Sequence, residues 1–219
     1  MPKPVVLIAG ATGLIGSELL AQCLAAGATV HALVRRAPVA TAPTAGLHWL
    51  IIEYRGLPLL PLAAEAYCAL GTTIKTAGTP QAFRAVDFDA VLSFARACRA
   101  AAVRRFAVVS ALGADAKSAN FYSRVKGEME AALANLGFDS LVIARPSLLA
   151  GNRAALGQPM RHIEKFALAA AAPLAPLIPK SWRPIRAHTV ARALRAAMHE
   201  ARPGTRIVPS AELQTLGAA

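Results

Sequence analysis

The segment Gly10-Ala11-Thr12-Gly13-Leu14-Ile15-Gly16 constrains this chain more than any other. An apolar run, Val5-Val6-Leu7-Ile8-Ala9, precedes it, and a helical pattern follows it. Strand, glycine-rich turn and helix in that order are what a dinucleotide pyrophosphate needs. Gly10 permits a sharp turn out of the strand. Gly13 leaves no Cβ between backbone and phosphate, and Gly16 lets the helix pack close to the sheet. The first-turn N–H groups of the helix then point at the anion. Thr12, Leu14 and Ile15 complete the expected cofactor-binding turn. The spacing is G-x-x-G-x-x-G rather than G-x-G-x-x-G, and a glycine pattern alone also fits an empty strand–helix turn. The rest of the chain has to decide between them.

Leu14 to Ala26 reads as a helix with Gly27 as its stop. Thr29 to Val34 reads as a second buried strand, ending in Arg35-Arg36. The tip of strand two faces the adenine ribose in such a fold. An acid there accepts from the 2′-OH of NAD, whereas arginine pairs with the 2′-phosphate of NADP. Two arginines and no acid favour NADP(H), with Arg35 ahead of Arg36. Leu47 to Glu53 is a third strand. The piece after it, Arg55 to Ala64, contains Pro58 and Pro61 and is too short and proline-broken for a full crossover helix. Ala66 to Leu70 is strand four, running into Gly71-Thr72-Thr73, at the strand end where ligands sit in open α/β sheets. Phe83 to Ala102 reads as one long helix that Asp87 caps or punctuates. Val103 to Ser110 is strand five, Tyr122 to Leu136 a helix closed by Gly137, and Ser140 to Ala144 strand six. His188 is expected to cap a helix over Val190 to His199, Pro203 to Pro209 to form a last strand, and the tail to fray. Alternating strands and helices at this spacing call for an α/β doubly wound parallel sheet, a Rossmann fold. The 219 residues are read as a single domain, with residues 146–185 as a substrate-side extension.

A second constellation follows strand five. Tyr122 and Lys126 stand at i and i+4 and so lie on one helix face. A phenol is a poor acid–base group at neutral pH, and a nearby cation favours its phenolate. Tyr122 can then move a proton to or from a carbonyl or alcohol oxygen. Ser110, from the strand end, can hydrogen-bond the same oxygen. Lys126 can also bond the nicotinamide ribose.

With these residues assembled, the chain resembles the short-chain dehydrogenase/reductase superfamily in its atypical NAD(P)-binding branch, and more closely the Tat-interacting-protein-like oxidoreductases. The likeness runs to about Glu200. It rests on Gly10 to Gly16, Cys68 to Thr73, Val109 to Asp115, Tyr122 to Glu128, and Arg145-Pro146-Ser147-Leu148-Leu149 with Gly151-Asn152-Arg153. The resemblance implies an NADP(H)-binding Rossmann core lined also by Leu70, Gly71, Thr72, Arg145 and Pro146. It implies an oxidoreductase activity for many members and a regulatory role for some. Glu53-Tyr54 departs from the aspartate and apolar residue usual beside the adenine, and the following crossover is short.

The expected activity is hydride transfer between NADP(H) and a small carbonyl or alcohol. The alternative is an NADP(H)-binding regulator or scaffold with little turnover. The net charge of +12 raises nucleic acid as a partner, but the basic residues are dispersed, without a Lys/Arg block interleaved with aromatics. No specific nucleic acid, membrane or metal is expected, and a homodimer is left open. Cys23, Cys68 and Cys98 lack metal-type spacing. They read as reduced thiols of a cytoplasmic protein, with no room for a signal peptide ahead of strand one.

Overall fold

The computed structural model describes residues 3–36, 43–150 and 179–218. Six strands come first: β1 (Val5–Ala9), β2 (Thr29–Val34), β3 (Leu47–Ile51), β4 (Glu65–Cys68), β5 (Arg105–Val109) and β6 (Ser140–Arg145). The short β7 (Leu149–Ala150) and β8 (Ile185–Arg186) pair only with each other, and β9 (Gly204–Pro209) joins the main sheet. That sheet has the order β3-β2-β1-β4-β5-β6-β9, and every pairing in it is parallel. The order reverses direction at β1, which is the switch point of a doubly wound sheet. The expected Rossmann fold is present.

Two apolar layers follow from strand alternation. Val6, Ile8, Val30, Ala32, Tyr67 and Val142 face α1 (Leu14–Ala25) and, later in the chain, Ala187–His199. Leu7, Ala9, Leu33, Cys68, Phe106 and Ile143 face the opposite way, onto Val91–Ala100 and Phe121–Ala134. Parallel strands buried on both faces read as unbroken apolar runs, which is why β1 and β5 were legible.

The segment before β5 differs from the single helix expected. One-turn α2 (Ile74–Ala77) and α3 (Pro80–Arg84) come first, each capped by a threonine hydroxyl, Thr73 and Thr79. A π-helical turn, Ala85–Ala90, then leads into α4 (Val91–Ala100). Asp87 caps nothing: it lies inside the π turn and is completely buried. The next helix, α5 (Phe121–Ala134), is capped by Asn120, whose side chain accepts from the Ser123 N–H at 3.1 Å.

Two C-terminal expectations are also corrected. Helix α6 spans Ala187–His199 and begins before His188, so His188 sits in its first turn and does not cap it. Its carbonyl accepts from Gln22 of α1. The tail is ordered as α7 (Ser210–Ala218), because Leu213 is buried in the core and Gly217 lets the helix backbone lie against Thr189. Between β3 and β4 the chain crosses without a helix, as the prolines demanded.

His31 and His48 face each other in register on β2 and β3, with rings stacked 4.8 Å apart. Burial and the charge of His48 both hold the His31 pKa below its ordinary value of 6.5. A folded-state pKa below the unfolded one means that the unfolded chain takes up the proton first as the pH falls. Stability is therefore lost as the pH drops through about 6.5. Thermal melts from pH 8 to pH 5 should show this fall, and His31→Gln should flatten it; a variant that tracks the wild-type curve would refute the assignment.

Candidate cofactor and proton-transfer site

Gly10 leaves β1 with φ +81, and its Cα lies so close to the β4 loop that a Cβ would sit 2.6 Å from the Ala69 carbonyl. A Cβ on Gly16 would sit 2.0 Å from the Gly10 carbonyl oxygen, inside any real contact. Helix α1 therefore packs backbone to backbone against the turn. It begins after Gly13 with no side-chain cap and no acid in its first turn. Its leading N–H groups have no local side chain to satisfy them, the condition that suits a pyrophosphate. The glycine turn fits the expected group on both counts.

The turn meets three further pieces at the sheet's C-terminal edge. Arg35 and Arg36 follow β2 and are exposed. Tyr54 donates to the Leu33 carbonyl at 3.5 Å and lies near the Gly10 backbone and Arg35, while burial pushes its phenol up. Its own carbonyl accepts from Ser93 at 2.6 Å. Tyr54 thus stands between the glycine turn and Arg35, at a place the sequence marked only as a departure. On the other side, Leu70-Gly71-Thr72 leaves β4 beside Gly10.

Beneath that loop lies an ion pair. Lys126 Nζ of α5 is 2.7 Å from Asp87 Oδ1, with the two side chains 4% and 1% exposed. Asp87 Oδ2 accepts from the Thr72 N–H at 2.8 Å. A Cβ on Gly71 would touch Asp87 Oδ1 at 3.4 Å and Lys126 Nζ at 3.9 Å. Burial alone would drive the Lys126 pKa down; the Asp87 carboxylate and Tyr122 reverse that, and the net shift is upward. Lys126 stays charged. Tyr122 is half-buried and leans on the buried Phe83, ring centroids 5.4 Å apart. Gly127 seats this helix: a Cβ there would sit 2.1 Å from the Ala116 nitrogen.

Ser110 and Arg145 turn elsewhere. Ser110 is buried, and its hydroxyl donates to Glu130 of α5. Arg145 grips the same carboxylate, through Nε at 3.1 Å and Nη2 at 2.5 Å. Pro146 gives its carbonyl to the Leu112 N–H. Glu130 was not expected from the sequence. A cleft of about 480 Å³ opens beside it, lined by Asp115, Gly127, Glu130, Arg145, Thr205 and Ile207. Neither Tyr122 nor the glycine turn lines this cleft, so it is not the cofactor crevice. Asn152, Arg153, Gln158, Arg161 and His162, polar residues of the substrate-side segment, lie outside the described residues.

A family model described as NAD(P)H-binding matches residues 10–167. The chain belongs to this NAD(P)H-binding family. The match starts at the first glycine of the turn and carries through the Tyr122–Lys126 helix. Protein fmp52, mitochondrial, of Emericella nidulans is 35% identical over 158 residues, covering 68% of each chain. Protein FMP52, mitochondrial, of Candida albicans is 33% identical over 159 residues, covering 67% of each. Among solved structures, the Bordetella bronchiseptica enzyme WbmG in complex with NAD superposes with a TM-score of 0.71 at 18% identity, covering 99% of this chain and 77% of that one. A UDP-N-acetylglucosamine 4-epimerase from Methanobrevibacter ruminantium gives 0.73 at 17% identity, covering 95% and 77%. The expected NAD(P)-binding Rossmann domain is thus borne out, and its fold neighbours include an epimerase and a protein solved with NAD. The expected cytoplasmic setting is overturned, because the relatives are named mitochondrial. Buried unpaired thiols do not tell one compartment from another.

Replacing Gly16 with alanine forces a backbone clash at the head of α1. The variant should lose at least about 2 kcal/mol of stability, as overpacking does. It should also lose NAD(P)H binding, read by thermal melting and by fluorescence titration. Wild-type affinity in Gly16→Ala would remove the turn from the site.

Proposed function

We propose that this family member is an NADP(H)-dependent oxidoreductase acting on a small carbonyl or alcohol, with Tyr122 as acid/base. The observation that carries the reading is the buried, charged Lys126 on Tyr122's helix, held directly under the Gly71 loop. Gly10 to Gly16 would hold the pyrophosphate, Arg35 with Arg36 the 2′-phosphate, and Leu70 to Thr72 the approach to the nicotinamide. When bound, the nicotinamide supplies the hydride donor or acceptor. Lys126 has three N–H donors, and Asp87 takes one. The others are available to the ribose and to the phenol oxygen. Tyr122 donates its proton to a carbonyl oxygen in reduction and takes one from an alcohol in oxidation.

A second reading, a cofactor-binding regulator with little turnover, has its own support. Ser110, expected to orient the substrate oxygen, gives its hydroxyl to Glu130, and Arg145 is held by the same carboxylate. If Ser110 acts on substrate, that hydrogen bond must be exchanged. NADPH oxidation with any member of a panel of aldehydes, ketones and quinones would exclude the regulatory reading.

Once a substrate is in hand, Tyr122→Phe should lower kcat by about 10²–10⁴-fold, the range for general acid–base groups. NADPH affinity should be nearly unchanged by calorimetry. Full activity in that variant sinks the role. Arg35→Ala should weaken NADPH about tenfold, roughly 1.4 kcal/mol, and leave NADH unaffected. Wild-type preference for NADH would refute the part given to Arg35.

A further inference from the structure

The crossover between β3 and β4 has no helix, and Leu57-Pro58-Leu59-Leu60-Pro61-Leu62 runs in its place. Pro58 and Pro61 hold their own φ at about −65° and drive Leu57 and Leu60 out of the helical region. Four of these six residues are thereby confined to extended or polyproline II backbone. Burial repeats at every third residue, the period of a polyproline II helix. Leu57, Leu60 and Ala63 pack on the core layer that holds Leu7 and Leu33. Leu59 and Leu62 face away, 85% and 74% exposed, the two most exposed large apolar side chains among the described residues. Pro58 is exposed and Pro61 half-buried, on the third edge. Gly56, at φ +78, turns the chain into this ridge. Both flanks are pinned. The Tyr54 carbonyl accepts from Ser93 of α4 at 2.6 Å, and the Ala64 N–H donates to the Val5 carbonyl at 3.2 Å.

We propose that Leu57–Leu62 is a docking ridge for a protein domain whose aromatic-lined, acid-rimmed groove reads polyproline II backbone. With one edge buried, the other two point outward together. Pro58 with Leu59, and Pro61 with Leu62, each present a ring and a branched side chain, one turn or about 9 Å apart. Aromatic grooves take such ridges because a backbone already fixed has little freedom left to lose. Here the two prolines and the pinned flanks have removed that freedom before any partner arrives. The acidic rim follows from charge. Nothing between Gly56 and Ala64 is charged, Arg55 is exposed at the head of the ridge, and the chain carries a net charge of +12. Glu53, also exposed, offsets only part of that excess. The ridge suits a small domain better than a second copy of this chain. Six residues of polyproline II span about 19 Å at one side chain's width, well short of the roughly 800 Å² per partner that a stable dimer buries. A two-fold axis through this face would also set one convex ridge on another. The docking role is independent of the reaction assigned to Tyr122.

The test passes an array of purified SH3, WW and EVH1 domains, which read polyproline II, over the immobilised full chain. At least one domain should bind, and less tightly as salt rises. Leu59→Ser and Leu62→Ser should each weaken that complex about tenfold or more, the loss expected when a leucine no longer fills its slot. Pro58→Ala should weaken it about two- to fivefold by loosening the ridge. Both leucines are exposed, so the melting temperature and NADPH affinity of their variants should stay at wild-type values, which separates lost docking from lost folding. No binding across the array overturns the proposal. So does a complex that survives in the double variant Leu59→Ser/Leu62→Ser, because the groove then reads another surface. A wild-type dimer in sedimentation that the double variant dissociates would give the ridge to a second copy of the chain. Adsorption to phosphatidylcholine–phosphatidylglycerol vesicles, lost in the same variant, would give it to a lipid surface. Either result overturns the assignment to a groove-bearing domain.

Discussion

The backbone of Gly10 touches two other elements at once, and the site is built around that meeting. On one side it lies against the Ala69-Leu70 peptide beyond β4; on the other its carbonyl lies under Gly16 of α1. No side chain fits at either contact. This close approach fixes where α1 starts, and with it the direction of the helix N–H groups that would receive an anion. It also brings the Leu70–Thr72 loop to the switch point between β1 and β4, so that both walls of the crevice come from adjacent strands. A β-carbon at either glycine would open the junction and separate the walls.

Two buried carboxylates organise the opposite wall. Asp87 ties Lys126 to the Thr72 peptide, and Glu130 ties Ser110 to Arg145. Each joins α5 to another element: Asp87 to the π turn and the loop after β4, Glu130 to the ends of β5 and β6. Breaking one partner of such a pair leaves an unpaired charge in a poorly solvated place, about 3–5 kcal/mol in other proteins. The helix carrying Tyr122 is thereby held rigidly to the sheet's C-terminal edge. A catalytic side chain needs such support, and so does a cofactor sensor that changes little on binding. The two functional readings share this scaffold and part only at Ser110, whose hydroxyl faces Glu130.

Membership in the NAD(P)H-binding family accounts for the glycine turn and the doubly wound sheet. It does not choose a reaction. The superposed structures include a 4-epimerase and a protein solved with NAD, at identities that carry the fold alone. Function resides in the side chains grafted on such a fold. On the proposed reading those are Tyr122 and Lys126.

The sequence by itself determined what short-range physics encodes. Apolar runs gave the buried parallel strands, Pro58 and Pro61 removed a crossover helix, and the spacing of Gly10, Gly13 and Gly16 specified a strand–turn–helix junction. The i, i+4 spacing put Tyr122 and Lys126 on one helix face. It missed the ordered tail, because α7 looks frayed until Leu213 finds the core and Gly217 finds Thr189. It missed Asp87 for a related reason. A carboxylate near a helix start normally caps it, and only the π turn rotates this one inward. The partners that matter most, Asp87 with Lys126 and Ser110 with Glu130, are distant along the chain or on different elements. Local propensity does not register such pairs. Only the closing of the sheet, which brings α5 against the π turn and the end of β5, decided which charges would meet out of water.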